Sequence, residues 1–242
     1  MRVGLLVPST NTTMEPDFYR RLPPTVTLHT ARMCLRDVTV AAEEEMLDVH
    51  FPRSLGELAG VEPDVVVFGC TSAGALRGNS YERALLRRIE TEAGCPAVSV
   101  VGAVRQELRR HGRRVAVFTP YVDEVNERIA ASLREDGLEP VGVWGMGLVD
   151  NRDIGRVSPE QVLEFVLARR AAVAGAECVF VSCTNLRAFE VRDRLEDELG
   201  VPVVTSNHAA FLATLEVLGL ARNGSPAATG GGRQAAGAAG RP

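Results

Sequence analysis

The chain is poor in the groups that usually hold metals and cofactors. Its 242 residues include four histidines, His29, His50, His111 and His208, with no His-x-x-x-His spacing, and no Cys-x-x-Cys occurs. No Gly-x-Gly-x-x-Gly follows the first apolar run, and no phosphate loop ends in Gly-Lys-Ser or Gly-Lys-Thr. The Gly-x-Ser-x-Gly elbow of serine hydrolases is missing as well. The expectation is a protein that works with no metal and no cofactor. No stretch approaches the roughly 20 apolar residues of a membrane helix, and the opening Met1-Arg2-Val3-Gly4-Leu5-Leu6-Val7-Pro8 reads as a strand rather than a signal peptide. A net charge of −4 gives no general attraction for nucleic acid or an anionic membrane. Five cysteines without framework spacing fit a reducing compartment. A cytoplasmic enzyme or binding protein is expected.

What is present is a sentence written twice. Val65-Val66-Val67-Phe68-Gly69-Cys70-Thr71-Ser72 matches Cys178-Val179-Phe180-Val181-Ser182-Cys183-Thr184-Asn185, with Cys70 and Cys183 separated by 113 positions. Val7-Pro8-Ser9 matches Thr119-Pro120-Tyr121 at an interval of 112, and Gly94-Cys95-Pro96 matches Gly200-Val201-Pro202 at 106. A duplicated chain should fold as two similar lobes.

Short Val-rich runs alternate with longer segments of helical period, the pattern of βαβ units and parallel sheets. Strands are predicted at 3–8, 26–31, 65–70, 97–101, 115–119, 140–145, 179–183 and 202–206. Helices are predicted at 14–22, 41–58, 78–93, 104–111, 123–136, 159–174, 189–199 and 208–218. The fold class is α/β: two lobes, each a four-stranded mainly parallel sheet flanked by helices, related by a pseudo-two-fold with the active site between them. Residues 1–101 form the N-terminal lobe and 102–207 the C-terminal lobe, with a helix over 208–220 packing back on the first. The Gly/Ala-rich stretch 221–242 has almost no large apolar residues and is expected to be disordered.

In doubly wound sheets, ligands sit beyond the carboxyl ends of the strands. Cys70 and Cys183 occupy that position in their lobes. Loop amides and a helix N-terminus there are expected to lower a thiol pKa from about 8.5 toward neutrality. Two opposed thiols point to proton or nucleophile chemistry, and the same loops suit a small carboxylate or dicarboxylate. Thr71, Ser72, Thr184 and Asn185 add short donors beside the cysteines. The loop Pro8-Ser9-Thr10-Asn11-Thr12-Thr13 is denser in hydroxyls than helix capping needs, which makes Thr10 and Asn11 binding candidates. Tyr121 offers a phenol from the equivalent second loop, and Asn151 an amide from a polar loop after the sixth strand. Cys34 is a weaker candidate, and Cys95 and Cys178 read as structural. Arg77 and Arg187 are weighed as carboxylate partners, with a solvated helix face the favoured reading of each.

These residues resemble the Asp/Glu racemase superfamily, in which two four-stranded lobes each present a catalytic Cys to a shared cleft. Within it, Val7-Pro8-Ser9-Thr10-Asn11-Thr12-Thr13-Met14-Glu15 is similar to the opening motif of maleate cis-trans isomerases. Thr119-Pro120-Tyr121 and Asp150-Asn151 with Gly155 look like that family too. The resemblance spans about 220 residues and implies Asn11, Cys70, Tyr121, Asn151 and Cys183 as active-site positions. The flanks Gly69-Cys70-Thr71-Ser72 and Ser182-Cys183-Thr184-Asn185 look more like the racemase-like proteins of ectoine utilisation. Tyr121-Val122-Asp123-Glu124-Val125-Asn126 is similar to arylmalonate decarboxylases, which keep only the second-lobe cysteine. The resemblance implies maleate-type isomerisation by thiolate addition and elimination. Racemisation of an amino or hydroxy acid, decarboxylation of a substituted malonate, and carboxylate binding without turnover are the alternatives. A homodimer is compatible with the sequence, and periodicity does not decide it.

Overall fold

The structure, a computed structural model, describes residues 1–221. All but the first residue of the stretch expected to be disordered therefore lies outside the described residues. The first half runs β1 (Arg2–Pro8), α1 (Met14–Tyr19), β2 (Thr27–Met33), α2 (Val40–Glu45), α3 (Phe51–Ala59), β3 (Val65–Phe68), α4 (Thr71–Leu76), α5 (Gly78–Ala93), β4 (Ala97–Ser99) and α6 (Val100–Arg109). The second runs β5 (Arg114–Thr119), α7 (Asp123–Glu135), β6 (Glu139–Gly145), α8 (Asn151–Arg156), α9 (Pro159–Leu167), α10 (Arg170–Val173), β7 (Cys178–Val181), α11 (Arg192–Leu199), β8 (Val203–Thr205) and α12 (Ser206–Val217).

Two parallel four-stranded sheets result, ordered β2-β1-β3-β4 and β6-β5-β7-β8. The duplication reaches individual hydrogen bonds. Gly69 N–H donates to Leu6 O at 2.7 Å, and Ser182 N–H donates to Phe118 O at 2.7 Å. Val66 N–H reaches Pro96 O at 3.0 Å, and Val179 N–H reaches Pro202 O at 2.9 Å. The central strands are buried on both faces, as continuous Val/Leu/Phe runs require.

The boundaries differ from the sequence reading where caps and packing intervene. The segment expected as one helix over 41–58 is α2, a π-helical turn at Met46–His50, and α3. The helix expected from 104 begins at Val100, because Ser99 caps it by accepting the Gly102 N–H. Asn151 opens a short helix rather than sitting in an open loop, with the Asp150 side chain as cap. The helix expected from 208 starts at Ser206, capped by Thr205.

The halves do not keep separate cores. One apolar cluster contains Val3, Leu5 and Val7 of the first sheet together with Val115, Val117 and Phe180 of the second. α12 packs against α6 and α1, with Phe18 and Phe211 edge to face at 5.5 Å. A polar knot adds a second tie. Arg105 on α6, 5% exposed, pairs with Glu82 on α5 and with Asp136 just beyond α7 at 2.6 Å. It also donates to Asn79 Oδ1 and Ser132 Oγ at 3.2 and 3.1 Å. Among the described residues, no helix is long and apolar enough to cross a membrane.

Removing one partner of a buried ion pair strands the other without water. Arg105→Ala is therefore expected to cost about 3–5 kcal/mol of stability in urea unfolding. Arg53→Ala, which removes a surface pair with Glu57, should leave the midpoint nearly unchanged. Equal effects of the two substitutions would show that the knot does not join the halves.

Candidate active site

Cys70 is delivered by a close passage of backbone. A Cβ at Gly69 would meet Met14 Sδ at 2.7 Å, Val7 Cγ1 at 2.8 Å and Leu6 O at 2.9 Å, so only glycine lets the chain leave β3 at this point. Cys70 then stands as the extended residue before α4. Its sulfur faces the Ala73 N–H and lies 3.7 Å from Ser72 Oγ.

Cys183 occupies the equivalent position under strain. Its φ of +102° lies in a region that side-chain-bearing residues rarely adopt. The conformation is held by hydrogen bonds. Cys183 N–H donates to Ser206 Oγ at 3.0 Å, and Asn185 N–H donates to Cys183 Sγ at 3.3 Å. The Leu186 N–H and the Tyr121 hydroxyl also point at that sulfur. Thr71 Oγ1 donates to the same Ser206 Oγ at 3.0 Å, so one hydroxyl ties both cysteine loops together.

Both thiols line one small, nearly closed cavity of about 10 Å³, shared with Thr71, Ser72, Tyr121, Asn151 and Thr184. All lining groups lie at the carboxyl ends of the strands. Leu35 and Val38 supply an apolar wall from the segment after β2. That segment straps across to the other half: Val38 N–H donates to Val149 O at 2.8 Å, and Asn151 N–H donates to Arg36 O at 3.0 Å.

The remaining predicted residues lie behind this lining. Asn11 caps α1 by accepting the Thr13 and Met14 N–H groups, each at 3.0 Å, and donates to Thr184 Oγ1 at 3.0 Å. Thr10 Oγ1 donates to Leu35 O at 2.7 Å and accepts from Asn151 Nδ2 at 2.8 Å. Asn185 accepts the Thr12 N–H at 2.8 Å and donates to Asn151 O at 2.6 Å. These three side chains stitch the loops of the two halves. Arg77 pairs with Asp48 at 2.7 Å and Arg187 with Glu190 at 2.8 Å, so neither guanidinium belongs to the cavity. Cys34 is exposed, and Cys178 is buried within β7.

The electrostatics correct one expectation. The thiols were expected to be acidified, but burial pushes Cys183 up to about 11 and Cys70 higher still. The hydrogen bonds from Tyr121, Asn185 and Leu186 pull the Cys183 value down, and desolvation outweighs them. Tyr121 is likewise pushed up by burial. Burial therefore keeps both sulfurs protonated at neutral pH.

Sequence reasoning missed Ser206, the Leu35 and Val38 wall, and Glu43. Glu43 is fully buried and accepts a hydrogen bond from Ser72 Oγ. It stands in a Glu43-Glu44-Glu45 run that reads as a solvated face. The available signal was helical phase, because Glu43, Met46 and Leu47 fall on one side of the helix at i, i+3 and i+4.

Known proteins resemble this chain in sequence and fold. The arylmalonate decarboxylase of Bordetella bronchiseptica is 30% identical over 234 residues, covering 96% of this chain and 95% of its own. The maleate isomerase of Alcaligenes faecalis is 28% identical over 234 residues, covering 90% and 91%. Among solved structures, a Nocardia farcinica maleate cis-trans isomerase with a cysteine replaced by serine carries a covalently bound succinylcysteine intermediate. It superposes with a TM-score of 0.82 at 25% identity, covering 90% of this chain and 93% of that one. These relatives are enzymes. The family model for arylmalonate decarboxylase matches residues 3–232, nearly the whole chain, and the chain therefore belongs to the arylmalonate decarboxylase family.

Proposed function

We propose that this protein is an isomerase that uses two cysteines and acts on a small dicarboxylate of the maleate type. The observation that carries the reading is the pair of equivalent thiols, Cys70 and Cys183, on one cavity built from both halves. The Cys70 thiolate adds to an alkene carbon beside a carboxylate, forming a C–S bond. The alkene pair moves to the neighbouring carbon and its carboxylate, and Cys183 protonates that carbon. Rotation about the new single bond, return of the proton to Cys183 and loss of the thiolate give the trans acid. Tyr121, Asn151 and the hydroxyls of Thr71, Ser72 and Thr184 supply donors for the charge that develops on the carboxylate oxygens. Thr10, Asn11 and Asn185 position these groups through the bonds described above. Each half contributes one sulfur, so neither half is active alone. Free thiols in such roles persist in a reducing cytoplasm.

High thiol pKa values in the closed cavity are compatible with this chemistry. A buried thiolate is poorly solvated and strongly nucleophilic once formed, and the amides around Cys183 Sγ are already oriented toward negative charge.

Decarboxylation of a substituted malonate is the second reading. It is favoured by the apolar Leu35 and Val38 wall, which suits an apolar substituent, and by the Bordetella relative. There, Cys183 alone would protonate the enediolate.

One assay separates the two. With maleate in deuterated water, proton NMR should show conversion to the trans acid with both carboxyls retained. Release of carbon dioxide from phenylmalonate, with maleate untouched, would overturn the isomerase reading in favour of the decarboxylase. The cysteines provide the second test. Cys70→Ala should lower kcat by about 10³-fold or more, within the range expected for an acid, base or nucleophile. Cys183→Ser should accumulate an adduct on Cys70 heavier by one maleic acid, visible by intact mass. Full turnover in either variant would remove that sulfur from the mechanism.

A further inference from the structure

Among the described residues, the buried carboxyls come with cations, save one. Glu82 has Arg105, Asp17 has Arg21, and Glu107 has Arg110. Glu43 has no cation partner among the described residues and is fully buried. Its Oε1 accepts the Ser72 hydroxyl, and its Oε2 has no hydrogen-bond partner among the described residues. An apolar residue would pack here without the desolvation cost of an acid. The same Ser72 Oγ lies 3.7 Å from Cys70 Sγ. Since Ser72 gives its proton to Glu43, it is free to accept the one on sulfur.

We propose that Glu43 is a positioning residue that receives the Cys70 proton through Ser72, making the buried thiol a nucleophile. The inference rests on the isomerase reading, in which Cys70 attacks. In the forward step the Cys70 S–H bond breaks and its proton passes to Ser72 Oγ, while the Ser72 hydroxyl proton passes to Glu43 Oε1. The pair left on sulfur becomes the S–C bond to the substrate. On elimination that pair returns to sulfur and both protons retrace their path. Ser72 is unchanged over the cycle, and no water has to enter the cavity.

The surroundings of Glu43 suit an acid that titrates within the working range. α2 packs on α4 and runs into the turn Met46–His50. Cys70, Cys183 and Tyr121 are the ionisable groups coupled to the Glu43 carboxyl, and each is neutral when protonated. Glu44 and Glu45 are exposed, Asp48 is paired with Arg77, and His50 lies 3.9 Å from Glu45. Burial holds the Glu43 carboxyl up to about 8, with the Ser72 hydrogen bond opposing. Between its ordinary value of 4.5 and about 8, the folded protein binds a proton that the unfolded chain has lost. Wild-type stability should therefore fall as pH rises through that window, relative to a variant without the carboxyl.

The test uses Glu43→Gln, Glu43→Asp, Ser72→Ala and the Glu43→Gln/Ser72→Ala double variant of the full chain. Alkylation of Cys70 by iodoacetamide, followed by mass spectrometry, needs no substrate. In the wild type its rate should climb with pH and level off near 8, as the pair settles into sharing one proton. In Glu43→Gln it should keep climbing. Coincident profiles would overturn the proposal. With maleate, Glu43→Gln and Ser72→Ala should each lower kcat about 10²-fold with KM little changed. Glu43→Asp should recover part of the loss, and the double variant should be no slower than the slower single. Losses that multiply would show independent roles and overturn the relay. Thermal melting guards against a packing artefact. Glu43→Gln should match the wild type near pH 5 and exceed it at pH 8, and a variant weaker at every pH would mark Glu43 as merely structural. A wild type that turns over no acid would defeat the functional reading, while the alkylation profiles would still decide Glu43.

Discussion

The meeting of the two cysteine loops at Ser206 organises everything around it. Ser206 Oγ accepts the Cys183 N–H and the Thr71 hydroxyl, so the loop after β7 and the loop after β3 share one acceptor at the tip of β8. The bond does more than join two loops. It holds Cys183 at φ +102°, a conformation costing about 1–3 kcal/mol that survives only when its surroundings impose it. Thr184 Oγ1, bonded to Gly69 O at 3.1 Å, fastens the same two loops a residue further on. Sulfur placement is thus set by peptide geometry and short hydroxyls.

A cavity made this way buries both sulfurs, and burial governs its chemistry. Water would acidify the thiols but would also quench a carbanion next to a carboxylate. Excluding it raises both sulfur pKa values and strengthens every oriented dipole that faces the substrate. The protein then has to supply internal partners for each proton. Around Cys183 these are the Tyr121 hydroxyl and two backbone amides. Around Cys70 they are the Ala73 N–H, Ser72 and, one bond further, Glu43.

That difference exposes where the duplicated halves have parted. Their sheets share one strand order, apart from a register shift between β5 and β6 at Val115 and Ala116, and Gly69 and Ser182 leave their strands through the same 2.7 Å hydrogen bond. The helical layers do not match. Among the described residues, only the first half lays a strap, carrying Leu35 and Val38, over the cavity, and only that half sends a buried carboxylate toward its thiol. The second half offers a phenol and a strained backbone instead. The two thiols of a duplicated scaffold thus sit in unlike polar surroundings.

The amino-acid sequence alone determined the architecture and the two sulfurs. Central strands of a parallel sheet are continuous apolar runs with their functional residues at the carboxyl ends, and both properties are local in the chain. Two such runs with Cys in the same place identified Cys70 and Cys183, and polar clusters after other strands identified Tyr121 and Asn151. Tertiary structure decided the rest. Whether Thr10, Asn11 and Asn185 face a ligand or stitch loops depends on partners up to 175 positions away. The protonation of the thiols depends on burial, which no spacing encodes. Glu43 lies in a run of three acids, and only the packing of α2 against α4 separates it from its solvated neighbours.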